Sequence, residues 1–200
     1  MFTTPRVVLI ALCAALNFAL GSIVFLIKLP IYLDSIGTIL CALLMAPRRS
    51  IAFICAALAG LISSCIAGLL INPFLPWFAL TDVAIALVSA FVTARGAVFF
   101  RTQPIPVGMF AVRVISYGVV TGIVAAVVSA PVVAYLFGGV TGSGSALVVA
   151  YFLKTGQQLM NATLLSGLTA EPIDKSLQVL LAVLLYRVTP GEFIDLVHAK

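Results

Sequence analysis

An all-α integral membrane protein with six transmembrane helices and both termini cytoplasmic is the fold class this chain predicts, on three observations. Of its 200 residues, 63% are apolar and only 8% charged, whereas about a quarter of a soluble domain is charged. Six apolar runs recur along the chain, and a bilayer requires roughly 20 apolar residues per helix. The net charge of +5 is scattered rather than clustered, so the basic residues read as topology signals and not as a nucleic-acid surface. Too little polar surface remains to cover a globule in water. No soluble nucleotide-binding or catalytic domain fits in the remainder, and residues 1–200 are expected to form one membrane domain.

The first span, 7–27, is led by Arg6 and closed by Lys28-Leu29-Pro30. It lacks a small-residue cleavage site after a short core, so it reads as a retained span rather than a signal peptide. The second, 33–46, is short and draws on Ile31 and Tyr32 to approach membrane thickness. Pro47-Arg48-Arg49 ends it. The third, 50–71, stops at Asn72-Pro73, and the fourth, 77–93, begins with Trp77 where an interfacial aromatic belongs. Residues 95–106 read as a basic, proline-containing loop. The fifth, 107–137, carries Arg113 near its start and Pro131 inside, which implies a kink. The sixth is expected at 171–188, opening with Glu171-Pro172-Ile173-Asp174-Lys175. Between the last two, Lys154, Gln157, Gln158 and Asn161 interrupt an apolar stretch, so 138–170 is expected to be external or re-entrant, buried in protein or lining a wet cavity.

Alternating the spans places Arg6, Arg48, Arg49, Arg95, Arg101, Arg113, Arg187 and Lys200 on one side and Lys28, Lys154 and Lys175 on the other. The first side is cytoplasmic by the positive-inside rule. Every acid in or near a span then falls in the outer half.

That half carries the polar set from which a solute site would be built: Tyr32, Asp34, Asn72, Trp77, Asp82 and Lys154, with Gln157, Gln158, Asn161, Glu171, Asp174 and Lys175. Carboxylates and amides beside a few aromatics suit a small water-soluble ring compound. The plainer reading is an interface where these groups are solvated or pair with one another, with Asp174 favouring the positive end of a helix dipole. Asp82 is the hardest to place in the interface, because its distance from Trp77 puts it below the headgroups. Two stripes of small residues at four-residue spacing, Ala11, Ala15, Ala19 and Ala56, Gly60, Ser64, Gly68, allow close helix approach, within the bundle or to a second chain.

Gly138–Ser145 is glycine-rich, but no Gly-Lys-Ser/Thr follows, so it reads as a tight turn or gate over the pocket rather than a phosphate cradle. His198 is the single histidine, and it lies at the end of the chain, which excludes triads and histidine-based zinc sites. Cys13, Cys41, Cys55 and Cys65 lie singly in apolar runs and read as packing residues. No enzyme, metal or cofactor is expected.

Leu29-Pro-Ile-Tyr-Leu-Asp-Ser-Ile-Gly-Thr38, the double arginine after the second span, the Gly138–Gly144 run, Glu171-Pro-Ile-Asp-Lys175 and the Ala11, Ala15, Ala19 stripe together resemble the substrate-binding S component of energy-coupling factor transporters, over nearly the whole chain. The resemblance implies a multi-pass protein of a bacterial-type cell membrane that captures a vitamin or vitamin precursor from outside. It also implies docking through the alanine stripe to a T component that works with two cytoplasmic ATPase subunits. By the same resemblance, Lys28–Tyr32 would form a lid, and Trp77, Asp82, Gln157, Asn161, Glu171 and Asp174 would contact substrate. The acidic balance of the polar set favours a neutral or cationic ring, pyridoxine-like or a thiamine precursor, over a polyanion. A stand-alone secondary transporter and a non-transporting sensor domain are the other readings.

Overall fold

The computed structural model describes residues 2–46, 48–102 and 106–199, with backbone alone at 95, 97–99, 101 and 102. Pro47 of the expected turn, Lys200 of the tail and 103–105 of the basic loop lie outside the described residues. Those described form eight α-helices and no strand: α1 (Thr4–Leu26), α2 (Ile36–Met45), α3 (Arg49–Leu70), α4 (Ala79–Thr102), α5 (Val107–Tyr135), α6 (Ser145–Lys154), α7 (Leu159–Val188) and α8 (Gly191–His198), with a 3-10 turn, Leu75–Phe78, leading into α4. Four segments, namely α1, α3, Leu75–Ala94 and α5, are each long and apolar enough to cross a bilayer. α7 with α8, bent by 97° at their junction, makes a fifth where the bent pair is one span.

α2 and α6 have ten residues each, about 15 Å of helix, half the roughly 30 Å of bilayer hydrocarbon. α2 nevertheless occupies the centre. It packs against α1, α3, α4, α7 and α8, and all its residues except Leu40 are buried. Helix is expected from 33, but residues 27–35 run as irregular chain. Pro30 lacks an amide donor, and Lys28 (φ 54°) and Leu33 (φ 50°) adopt the left-handed conformation, which L-residues enter at a cost.

A helix that starts buried inside an apolar bundle cannot give its free N–H groups to water. Side chains from other helices receive them. Gly37 N–H donates to Asn17 Oδ1 of α1 at 2.6 Å, and Ser35 N–H donates to Gln178 Oε1 of α7 at 2.8 Å. Asn17 Nδ2 also donates to Thr38 Oγ1 at 2.9 Å. At the other end His198 Nε2 donates to the Leu44 carbonyl at 2.8 Å, and Thr93 Oγ1 donates to that of Ala42 at 3.3 Å. Gly37 is required for the α1 contact, because a Cβ there would overlap the Cys13 carbonyl.

Two expected boundaries move. α4 continues to Thr102 rather than ending at Thr93. Nothing between the two breaks a helix, and charge alone does not. α7 begins at Leu159 rather than Glu171, so Glu171, Asp174 and Lys175 lie near its middle and not at its start. Pro172 is accommodated inside α7 because Gly122 of α5 faces it, where a Cβ would lie 2.6 Å from Pro172 Cα. Gly118 and Ala126 continue that contact against Ser176 and Gly167, so the two helices run close together for most of their length. Between them the chain folds back: Ser166 Oγ donates to the Ser145 carbonyl at 3.3 Å, and Gly139 lies against Val149 and Leu159. α6 therefore returns alongside the first turns of α7.

Both chain ends meet at one end of the bundle, where Arg6 donates to the carbonyls of Val197 (2.8 Å) and Ala199 (2.9 Å). Arg187 lies at the same end, donating to the Phe100 carbonyl at 2.8 Å with its guanidinium 4.6 Å from the Phe110 ring centroid. Lys28 follows α1 at the opposite end. Lys175 joins neither surface and is buried in the interior.

Asn17→Ala leaves the Gly37 amide buried without an acceptor. It is expected to destabilise the fold by about 1–3 kcal/mol, measured as a lower thermal unfolding midpoint of the detergent-solubilised protein, with Gly37→Val lowering it further.

Candidate functional site

A cavity of about 140 Å³ lies beside the start of α2, bounded by α1, α3, α4, α5 and α7. That is close to the ~150 Å³ of an apolar cavity known to hold a benzene ring. Residues 27–35 contribute Ile31, Tyr32 and Asp34, and the glycine-rich loop contributes Thr141 and Ser143. These two segments meet: Gly144 N–H donates to the Leu29 carbonyl at 3.2 Å. Any side chain at 144 would collide with the backbone of Lys28 and Leu29, and Gly142, at φ 81°, faces the ring of Phe25. The loop is glycine-rich because backbone must touch backbone there.

α7 contributes Glu171 and Lys175 to the polar lining. Lys175 Nζ donates to Asp174 Oδ2 at 2.9 Å and Asp34 Oδ1 at 3.0 Å, and lies 3.4 Å from Glu171 Oε2. Its side chain is 2% exposed, so the ammonium survives burial only through these partners. Asp174 does not line the cavity. Its Oδ1 accepts the amides of Tyr32 (3.0 Å) and Leu33 (3.2 Å), and its Oδ2 accepts from Gln178 Nε2 at 2.6 Å. A single carboxylate thus ties the irregular segment, including its strained Leu33, to the lysine. Asp34 accepts a second bond from Ser35 Oγ at 2.9 Å, and half of its side-chain surface is open on the cavity that it lines.

Across the cavity, Asp82 of α4 is buried. Its hydrogen-bond partner is the hydroxyl of Ser64 on α3. Gly60 lets α3 approach it, since a Cβ there would lie 2.8 Å from Asp82 Cβ. Thr81 Oγ1 and Glu171 Oε2 are buried without a hydrogen-bond partner, and both residues line the cavity. The apolar wall includes Phe18, Phe25 and Phe78.

Of the expected site residues, the fold brings Tyr32, Asp34, Asp82, Glu171 and Lys175 to the cavity, with Asp174 immediately behind. Asn72 instead caps its own turn, accepting the Phe74 amide at 2.9 Å. Trp77 is 60% exposed and lies outside the cavity lining, as do the exposed Lys154, Gln157, Gln158 and Asn161. Lys154 ends α6, Gln157 and Gln158 lie in the turn that follows, and Asn161 lies in the first turn of α7.

The small hydroxyls Ser63, Ser64, Thr81, Ser129, Thr141 and Ser143 were not anticipated as lining residues. Nor was Asn17, which lines the cavity from α1. Serine and threonine are ordinary inside membrane helices, so only the adjacent pair Ser63-Ser64 opposite an intramembrane aspartate offered a hint. The two small-residue stripes face opposite ways. Ala56 and Gly60 are buried in the bundle, whereas Ala11, Ala15 and Ala19 are exposed, with the buried face of α1 formed by Ile10, Cys13, Ala14 and Asn17.

Asp174→Ala removes four accepted hydrogen bonds and leaves Lys175 short of a partner. It is expected to destabilise by about 3–5 kcal/mol, with Asp174→Asn intermediate, read from thermal unfolding of the purified protein.

No family model, no curated protein and no solved structure matches the chain. What the cavity does must be read from the cavity.

Proposed function

We propose that the chain is the substrate-binding S component of an energy-coupling factor transporter, capturing a water-soluble, vitamin-like molecule for ATP-driven uptake by partner subunits. The observation that carries this reading is the ring-sized cavity within the membrane bundle, walled by mixed charge and roofed by the segment between α1 and α2. A membrane helix keeps ionisable groups inside at considerable cost unless they serve a ligand or an ion, and here five of them surround one space.

With Arg6, Arg48, Arg49 and Arg187 on the cytoplasmic side, the roof faces outward. Residues 27–45, irregular chain followed by α2, complete a sixth pass between α1 and α3. The exposed Ala11, Ala15 and Ala19 stripe is the docking face for the T component, since small residues let a partner helix approach closely. The chain itself carries no ATP-binding motif, so energy comes from the two ATPase subunits.

Mass spectrometry of the small molecule that co-purifies with the chain tests the binding half of this reading, and a molecule too large for the cavity counts against it. Ala15→Trp tests the docking half. Ligand binding is expected to persist while uptake by the assembled transporter is lost, and uptake that survives the substitution would refute docking through α1. Asp82→Ala is expected to weaken binding of the co-purifying ligand about tenfold or more, about 1.4 kcal/mol, by calorimetry.

A further inference from the structure

The cavity carries an unbalanced charge. Lys175 is the one basic residue among those lining it, and Asp34, Asp82 and Glu171 line it as well. The ammonium is already shared among Asp34, Asp174 and Glu171. Asp82 stands apart from that group, held by the neutral hydroxyl of Ser64. A buried carboxylate calls for a cation beside it, and Lys175, the one basic residue lining the cavity, is bonded to the acids of the opposite group.

Two further observations point into the same space. Glu171 Oε2 and Thr81 Oγ1 have no hydrogen-bond partner, on residues each 6% exposed. Glu171 has only an ion-pair contact with Lys175, at 3.4 Å. They sit on α7 and α4, as does Asp82 on α4, so a molecule between these helices meets acceptors on both sides. The rest of the lining supplies the rings of Phe18, Phe25 and Phe78, whose faces attract cations as well as apolar surface.

We infer that the ligand is a small organic cation, built on a single ring, whose N–H donors engage Asp82 and Glu171. This rests on the binding reading above and narrows it to a charge class. Neutral rings leave Asp82 without a counter-charge, and an anion adds repulsion from three carboxylates. Lys175 then serves to hold Asp34 and Glu171 in place rather than to attract the ligand.

The test uses the purified full chain and three probes of one shape, benzylammonium, benzyl alcohol and benzoate, with affinities from isothermal calorimetry. Benzylammonium is expected to bind on the order of tenfold or more tighter than benzyl alcohol, with benzoate weakest. Asp82→Asn is expected to remove most of the preference for the cation, with an unchanged helical circular-dichroism spectrum showing that the variant is folded. Glu171→Gln is expected to reduce the same preference in part. Equal or tighter binding of the alcohol or of benzoate to the native protein overturns the inference. So does failure of benzylammonium to bind, or a cation preference that Asp82→Asn leaves undiminished. The outcome is separable from the transport reading. A cation preference together with uptake that survives Ala15→Trp refutes only the docking, and no preference together with lost uptake refutes only the charge assignment.

Discussion

The structure depends on how a ten-residue helix can begin and end inside an apolar bundle. α2 reaches neither the length of a span nor water at its first turn, so its terminal backbone groups must find protein partners. Asn17 and Gln178 meet the amides, and Thr93 and His198 meet the carbonyls. These four side chains come from α1, α7, α4 and α8, so satisfying α2 fixes the relative positions of most of the bundle. The cavity forms at the start of α2 because the chain there is irregular and the surrounding polar groups are already gathered to serve it. Structural and binding roles share the same residues: Asn17 both receives the Gly37 amide and lines the cavity.

The clustering of Glu171, Asp174 and Lys175 near the middle of α7 follows from the same constraint. Spaced at i, i+3 and i+4, they lie on one face of the helix. That face turns toward α2 because the opposite approach is taken up by α5 through Gly118 and Gly122. Had α7 begun at Glu171, these charges would have lain at a helix end within reach of solvent. Their position well inside a 30-residue helix makes mutual pairing compulsory.

Much of the fold was legible in the composition. Long apolar runs, proline stops and basic flanks located α1, α3 and α5 to within a few residues. The errors have physical causes. Arg95 and Arg101 read as part of a basic, proline-containing loop, although its prolines, at 104 and 106, come after α4 ends at Thr102. Glu171-Pro172 was read as a helix start, because proline favours first turns and nothing in the local sequence reveals that Gly122 will face it. The site was legible through its rare residues: Asp34, Asp82, Glu171 and Lys175 stand out in so apolar a chain. Gln157 and Asn161 stand out for the same reason, yet the turn before α7 and the first turn of α7 leave them exposed. Serines and threonines carried no such signal, since in membrane helices they bond to their own backbone as readily as to a ligand, as Thr121 does to the Tyr117 carbonyl.

The contact between Arg6 and α8 bears on the order in which the molecule assembles. Arg6 opens the first helix, and its guanidinium is satisfied by the carbonyls of Val197 and Ala199. α8 leaves the ribosome after every helix it packs beneath. Until then Arg6 lacks these two carbonyl acceptors, and the lower end of α2 lacks the imidazole of His198. Contacts between residues nearly the whole chain apart thus close this end of the bundle, and removing α8 would leave the Leu44 carbonyl without the imidazole that caps it.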